Sequence, residues 1–195
     1  MTRTMKDSGV PWIGEIPEEW EIVQLKRFCS INNGREILEE IDKSEETIPV
    51  YGSGGVFKYT TTFLYDGETV MFGRKGTLGK PIYTNGKFWV VDTMYYLTFS
   101  ERLSSKYCYY QLVAFDWTPL ITQTALPSIV GSEVVSCIFA FPSLNEQHHI
   151  VSFLDAECAE IDALIAQKEQ FIVEMESYKK SLIYEYVTGK KEVPA

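Results

Sequence analysis

The feature that most constrains the fold is a long helical pattern near the end of the chain. Residues 145–188 contain neither proline nor glycine, and Gly189 then supplies a natural stop signal. Apolar side chains repeat along this segment with heptad spacing, as at Val151 and Leu154. We predict one helix of roughly 42 residues and about 60 Å. A helix of that length cannot fold back onto a domain of ordinary size, so it should pack against another helix.

The apolar stripe along this helix is wider than a two-stranded coiled coil requires. Besides the heptad seam, neighbouring positions carry Leu164, Phe171 and Tyr178. We therefore favour an intersubunit coiled coil over the alternative, a terminal helix packed on its own domain. The seam residues expected to contact the partner are Leu154, Cys158, Ile161, Ile165, Ile172, Met175 and Leu182.

The composition is that of a folded, reduced protein. Of the 195 residues 45% are hydrophobic, and the four cysteines show no C-x-x-C spacing, which is typical of a cytoplasmic chain. We find no signal peptide and no apolar run of about 18 residues, so we expect no membrane segment.

The net charge of −9 argues at first against binding to nucleic acid. Residues 70–91, however, carry Arg74, Lys75, Lys80 and Lys87 without an acid, and a local basic loop matters more for phosphate contact than the total charge.

Short apolar runs separated by turn signals predict a β-rich domain before the helix. Residues 8–20 are rich in Gly, Pro and Trp; we expect an extended lead-in with no regular element before Pro17, anchored by Trp12 and Trp20. We expect strands at 21–23, 48–51, 56–59, 69–72, 92–99 and 134–141. We also expect a short helical turn at 25–30, a turn at 32–34, and an exposed loop or short helix at 35–46. A hairpin should form at Asn85–Gly86 between 82–83 and 88–91, and a helix should run from an N-cap at Ser104 to about 115. The class is α+β, divided into a lead-in (1–19), a globular domain (20–144), the long helix (145–188) and a tail (189–195).

Catalytic and cofactor signatures are absent from the pattern. The Gly73–Lys80 stretch differs from a phosphate-binding P-loop because five residues separate Gly73 from Gly79 and because Pro81 stands where a hydroxyl should bind Mg²⁺. The only histidines, at 148 and 149, are adjacent on a helix and cannot share a metal. We expect no catalytic residue, no metal site and no cofactor in this chain.

A binding surface remains. Gly-rich and basic segments alternate, which lets backbone N–H groups approach phosphate while Arg and Lys add charge. Arg can also bind guanine bidentately, and Gln can bind adenine in the same way. A solvated turn is the competing interpretation of the Gly-Arg-Lys-Gly loop. The predicted DNA contacts are Ser53, Lys58, Arg74, Lys75, Thr77, Lys80, Gln123 and Thr124.

Four separated motifs resemble one known family. The segment 8–20 (SGVPWIGEIPEEW) resembles the N-terminus of specificity subunits of Type I restriction–modification enzymes. Residues 48–55 (IPVYGSGG), the 73–76 loop (GRKG) and 88–93 (FWVVDT) resemble motifs of their target-recognition domains. Residues 142–147 running into 153–155 and 160–165 resemble the entry to the spacer helix, and 187–190 resembles its end.

This resemblance implies that the β-rich domain is a target-recognition domain that reads half of a split duplex DNA target. It also implies that the helix is a spacer that docks methyltransferase (modification) subunits and, through them, the restriction subunit. Methylation, translocation and cleavage would belong to those partners, which bring S-adenosylmethionine and ATP.

One departure concerns length. Family members usually carry two recognition domains and two spacer helices, whereas this chain has one of each, so we expect a half-length subunit or a truncated product. We hypothesise that two copies pair as a homodimer through antiparallel helices. The alternatives are a protein-only coiled-coil adaptor, a self-sufficient nuclease or methyltransferase, and the specificity subunit of a fused, Type IIB-like restriction–methylation enzyme.

Overall fold

A computed structural model describes residues 3–194. The chain divides into two compact units, one ending at Val151 and one beginning at Ser152. The strands are β1 (Met5–Asp7), β2 (Glu15–Pro17), β3 (Glu21–Gln24), β4 (Cys29–Asn33), β5 (Ile48–Gly52), β6 (Gly55–Thr60), β7 (Tyr65–Asp66), β8 (Thr69–Gly73), β9 (Ile82–Thr84), β10 (Lys87–Val90), β11 (Met94–Phe99) and β12 (Ile138–Phe141). The helices are α1 (Ser105–Ala114), α2 (Gly131–Ser136) and α3 (Leu144–Val187), with 3₁₀ turns at Leu25–Arg27 and Thr118–Leu120.

The first unit is built on two four-stranded sheets, ordered β6-β5-β10-β7 and β4-β11-β8-β9. Strand β8 is buried along its whole length because its two faces serve two cores. Val70 and Phe72 point into a core covered by α1 and α2, and Met71, between them, points into a smaller core with Phe88. The predicted α+β class, a β-rich domain followed by one long helix, is confirmed.

The predicted turn at 32–34 is wrong. Asn32 and Asn33 end β4 and pair with Tyr96 and Tyr95 of β11. The chain leaves the sheet only after Gly34, where a Cβ would lie 1.9 Å from the carbonyl oxygen of Val91. Glycine is required here by a close approach of two backbones, not by a turn.

The predicted hairpin at Asn85–Gly86 is also wrong. Gly86 does reverse the chain, with φ of +100°. However, β9 pairs with β8, while β10 pairs with β5 and β7, so the flanking strands belong to different sheets. Burial decides the partner, because β10 fills the smaller core with Phe88 and Val90. The hairpin in this region is β8–β9. Its strands are connected by the basic segment 74–81, which we call the basic loop.

Two further expectations need correction. The lead-in is not free of regular structure before Pro17, because β1 and β2 form an antiparallel pair in which Asp7 faces Glu15. Trp12 does anchor it, with its ring 5.5 and 5.4 Å from those of Phe115 and Phe139. The last strand starts late, since residues 131–136 form α2 and only β12 pairs with β3.

Both predicted helices form with the expected caps. At the start of α1, the Ser104 hydroxyl accepts a hydrogen bond from the Tyr107 N–H. At the end of α3, Gly189 takes a φ of +69° and the Lys190 N–H donates to Glu185. The first turns of α3 belong to the first unit through buried Gln147, whose amide donates to the carbonyls of Arg102 and Pro142. Within residues 3–194, none of the helices has the length and apolar character needed to cross a bilayer.

Candidate nucleic-acid interface

Three surface segments meet at one end of the first unit. The turn 52–55 touches the 74–81 segment through Ser53, whose hydroxyl accepts a hydrogen bond of 3.1 Å from the Thr77 N–H. Gly76 permits this contact: its φ is +80°, and a Cβ there would lie 2.6 Å from the Ser53 Oγ. Glycine at position 76 is therefore explained by the backbone conformation and by the contact with Ser53.

The third segment, 122–128, is attached to the first residues of the basic loop. Lys75 and Ser128 form an isolated antiparallel bridge, and the Ile129 N–H donates to the Arg74 carbonyl at 3.0 Å. The base of the segment is closed by Thr122, whose N–H and side chain both bond to Ser128. We call residues 52–55, 74–81 and 122–128 the three-loop surface.

The backbone of the basic loop is fixed while its charged ends are available. The N–H groups of Arg74 and Lys75 donate to the Thr93 carbonyl at 2.8 and 3.2 Å. The side chains of Arg74, Lys75 and Lys80 are exposed, and none of them forms a hydrogen bond or ion pair with another residue in the described range 3–194. Gln123, on the neighbouring segment, is exposed in the same way. Free cationic and amide side chains of this kind can contact phosphates and base edges.

The other predicted contacts have structural tasks. Ser53 and Thr77 join two loops, and both are half-buried. The Thr124 hydroxyl donates to the Leu126 carbonyl at 2.9 Å and shapes its own loop. Lys58 lies on β6, where its ammonium donates to the Ile37 carbonyl at 2.7 Å. Whether any of the eight residues contacts DNA stays a prediction.

Lys58 and Glu39 together fasten the exposed segment 35–46 to β6. The Glu39 carboxylate accepts hydrogen bonds from the Thr60 hydroxyl and from the N–H and hydroxyl of Thr61, at 3.1 and 3.0 Å for the latter two. These donors, led by the Thr60 hydroxyl, lower the pKa of Glu39 below its ordinary value. The segment is strongly acidic, so its attachment fixes negative charge beside β6.

Sequence reasoning missed two exposed apolar side chains at this surface. Phe57 follows the 52–55 turn, and Leu126 lies in the 122–128 segment. In the sequence, Phe57 stands between Val56 and Lys58 in a predicted strand, and Leu126 stands between Ala125 and Pro127; neither setting shows that the side chain is exposed at a common surface. Their exposure is visible only once the three segments are placed.

The seam of α3 is largely exposed. The side chains of Ile161, Ile165 and Ile172 are at least 50% exposed. Leu154 and Cys158 are half-buried. The positions beside the seam are also open, including Leu164 and others of the wide stripe. A contiguous apolar strip of this extent favours a protein partner.

The thiols of the first unit are poor nucleophiles. Burial raises the pKa of Cys29 to about 12 and raises that of Cys108 well above its ordinary value. Among residues 3–194, the His, Cys, Asp and Glu side chains form no group of three or more placed to hold a metal ion.

Comparison with known proteins identifies the family. The family model for the Type I restriction modification DNA specificity domain matches residues 17–173. The chain belongs to this family of Type I restriction modification DNA specificity domains.

Two relatives illustrate the sequence match. The chain is 25% identical over 215 residues to the Type I restriction enzyme MjaVIII specificity subunit of Methanocaldococcus jannaschii, covering 93% of this chain and 48% of that one. It is 23% identical over 118 residues to the Type I restriction enzyme EcoprrI specificity subunit of Escherichia coli, covering 59% and 29%.

Two solved structures share the fold. The HsdS subunit from Thermoanaerobacter tengcongensis matches with a TM-score of 0.66 and 16% identity over 93% of this chain and 47% of that one. The Type I restriction–modification S subunit from M. genitalium matches with a TM-score of 0.61 and 19% identity over 76% and 41%. The chain spans less than half the length of each of these four relatives.

Proposed function

We propose that this chain reads one half of an interrupted duplex DNA target through the three-loop surface. The observation that supports it is the basic loop, where Arg74 and Lys75 extend from a backbone held on both sides. A fixed backbone reduces the entropy lost on binding, because only the side chains must be ordered. The chain itself is non-catalytic; methylation and cleavage are performed by methyltransferase and restriction subunits bound to it.

Removing each cation separates two kinds of contact. If Arg74 or Lys75 contacts phosphate, its change to Ala weakens all sequences alike and lowers the salt slope by about 1. If it contacts a base, the change costs roughly 1–3 kcal/mol on the cognate duplex alone. Fluorescence anisotropy at several salt concentrations, with a duplex enriched by the wild-type chain from a randomised pool, measures both.

The chain offers a matched control for this pair. Lys26 and Arg27 are also adjacent and exposed. They precede the end of β4 that pairs with Phe99, whereas the basic loop follows the pairing of Gly73 with Met94 at the other end of the sheet. Lys26→Ala and Arg27→Ala should leave affinity and salt slope unchanged. Loss of binding in the control pair alone would refute the assignment of the surface.

We further propose that α3 pairs with the same helix of a second copy, in antiparallel orientation. The seam contains Lys168 and Lys179 besides its apolar residues. A parallel pair in register would set each lysine against its own copy, which is unfavourable in a buried seam. An antiparallel pair centred on Gln170 sets Lys168 against Ile172 and Lys179 against Ile161 of the second copy. The exposed stripe beside the seam, with Leu164, Phe171 and Tyr178, is then left for methyltransferase subunits.

Cysteine cross-linking tests this orientation. In the antiparallel register, Cys158 faces Leu182 of the second copy, whereas in a parallel pair it faces Cys158. In a Cys137→Ser background, Leu182→Cys should give a disulfide-linked dimer on mild oxidation, and the chain with Leu182 should not. A dimer linked through Cys158 alone would indicate a parallel pair, and no cross-link in either chain would refute pairing between copies.

A further inference from the structure

Two segments contact the basic loop, and each has an exposed apolar side chain in it or close to it in sequence. Phe57 is 59% exposed and follows the 52–55 turn, which contacts the loop through Ser53. Leu126 is 61% exposed and lies in the 122–128 segment, which joins the loop at Lys75. The three-loop surface and the strand that follows its first segment thus expose both cations and apolar side chains.

Phe57 is held in place although it is exposed. It belongs to β6, and its ring lies against the Gly52 backbone, where a Cβ would be 3.2 Å from the ring Cδ1. The Lys58 ammonium is 5.7 Å from the ring centroid and is itself tied to the Ile37 carbonyl. A ring that rests on its own turn can touch a ligand with its outer side, but it cannot insert between stacked bases without leaving Gly52.

Leu126 lies in a loop that is held together by hydrogen bonds of the hydroxyl groups of Thr122, Thr124 and Ser128. The Thr124 hydroxyl donates to the Leu126 carbonyl, and the Thr122 and Ser128 side chains lie 3.1 Å apart at the base. Pro127 follows and restricts the backbone further. The hydroxyl groups of this segment are therefore used to build the loop, and the leucine side chain is what the loop exposes.

We propose that Phe57 and Leu126 read the methyl groups of thymine in the major groove, on either side of the bases or phosphates reached by Arg74 and Lys75. This proposal rests on the DNA-reading function proposed above and names two further specificity-determining residues. The thymine methyl is the one apolar group on that groove edge, and apolar side chains recognise it by contact. Apolar groups and cations that extend from held backbone supply both kinds of contact without ordering new backbone.

Replacing thymine by uracil tests the proposal, because it removes only the methyl group. In the duplex enriched by the wild-type chain, single thymine-to-uracil changes should weaken binding about fourfold at two or more positions. Phe57→Ala should abolish the effect at one position and Leu126→Ala at another, while Phe57→Leu keeps it in part. Affinity of each chain for each duplex is measured by anisotropy at one salt concentration.

Two exposed apolar residues outside the three segments of the surface serve as matched controls. Phe63 is 48% exposed and, like Phe57, has a lysine over its ring, at 5.1 Å; Leu38 is 89% exposed and lies in the acidic segment. Their Ala variants should respond to uracil as the wild-type chain does. The proposal is overturned if uracil has no effect on the wild-type chain, or if the Phe57 and Leu126 variants keep its full effect. Failure of the DNA-reading function would differ, since Arg74→Ala and Lys75→Ala would then leave binding unchanged as well.

Discussion

The double change Ile165→Asp and Ile172→Asp should dissociate paired chains without unfolding the recognition domain. Both side chains lie in the seam of α3 and are 50% and 56% exposed. Pairing would bury the exposed half of each. Full burial of an isoleucine side chain stabilises by about 1.5–3 kcal/mol, so each should contribute about 1 kcal/mol.

The dimer contains each residue twice, which makes the total about 4 kcal/mol. At about 1.4 kcal/mol per tenfold, the loss raises the dissociation constant about a thousandfold. The carboxylates add to this, because a buried charge without a partner is costly. A pair with a dissociation constant in the micromolar range would become monomeric at every practical concentration.

Sedimentation velocity over a range of micromolar concentrations gives the dissociation constants. The matched control is Ala163→Asp with Gln170→Asp, which adds two carboxylates to the same helix on the face opposite the seam. Tryptophan fluorescence reports the fold of the first unit separately, because all four tryptophans lie between residues 12 and 117. Equal association of the seam variant, the control and the wild-type chain would refute the reasoning.

Three other changes test parts of the first unit. Gly34→Ala should lower the free energy of unfolding by about 2–4 kcal/mol in urea, because its Cβ would lie 1.9 Å from the Val91 oxygen; an unchanged midpoint would contradict this. Ser53→Ala should lower the free energy of unfolding in urea by about 1 kcal/mol, because it removes the acceptor of the Thr77 N–H. The same change should weaken DNA binding without changing the salt slope, because no charge is lost. Glu39→Gln should be less stable than wild type at neutral pH, and the gap should close as pH falls below about 4.3 through the lowered pKa of Glu39; a gap independent of pH would oppose this.

Periodicity and caps predicted the position of each element that can be recognised without knowing which other element it packs against. The heptad pattern and Gly189 located α3 almost to the residue, and Ser104 located the start of α1. The cap signals are local, because they depend on backbone groups within a few residues, and the heptad signal repeats along one continuous segment. The same holds for β5 and β8, whose apolar runs are short and bounded by turn residues.

Pairing could not be predicted in this way. The sequence around Asn85–Gly86 specifies a reversal, yet strands as short as β9 and β10 carry too little information to choose between each other and distant partners. Burial of Phe88 against Met71 and Met94 outweighs a local hairpin. Gly34 was misinterpreted for the same reason, because the contact that demands glycine comes from Val91, far along the chain.

The candidate interface has some features that local sequence predicts and others that depend on contacts between distant segments. Its residue types were predicted from composition, since Gly, Arg and Lys in one loop suit a phosphate backbone. Their division of labour depends on contacts between segments far apart in sequence, such as the Ile129 N–H with the Arg74 carbonyl. Ser53 and Thr124 are used in holding loops, whereas Arg74 and Gln123 are free to contact a ligand. Substitutions at the holding positions should therefore weaken binding to every sequence, while a substitution at a free position should change which DNA is bound only where that side chain contacts a base edge.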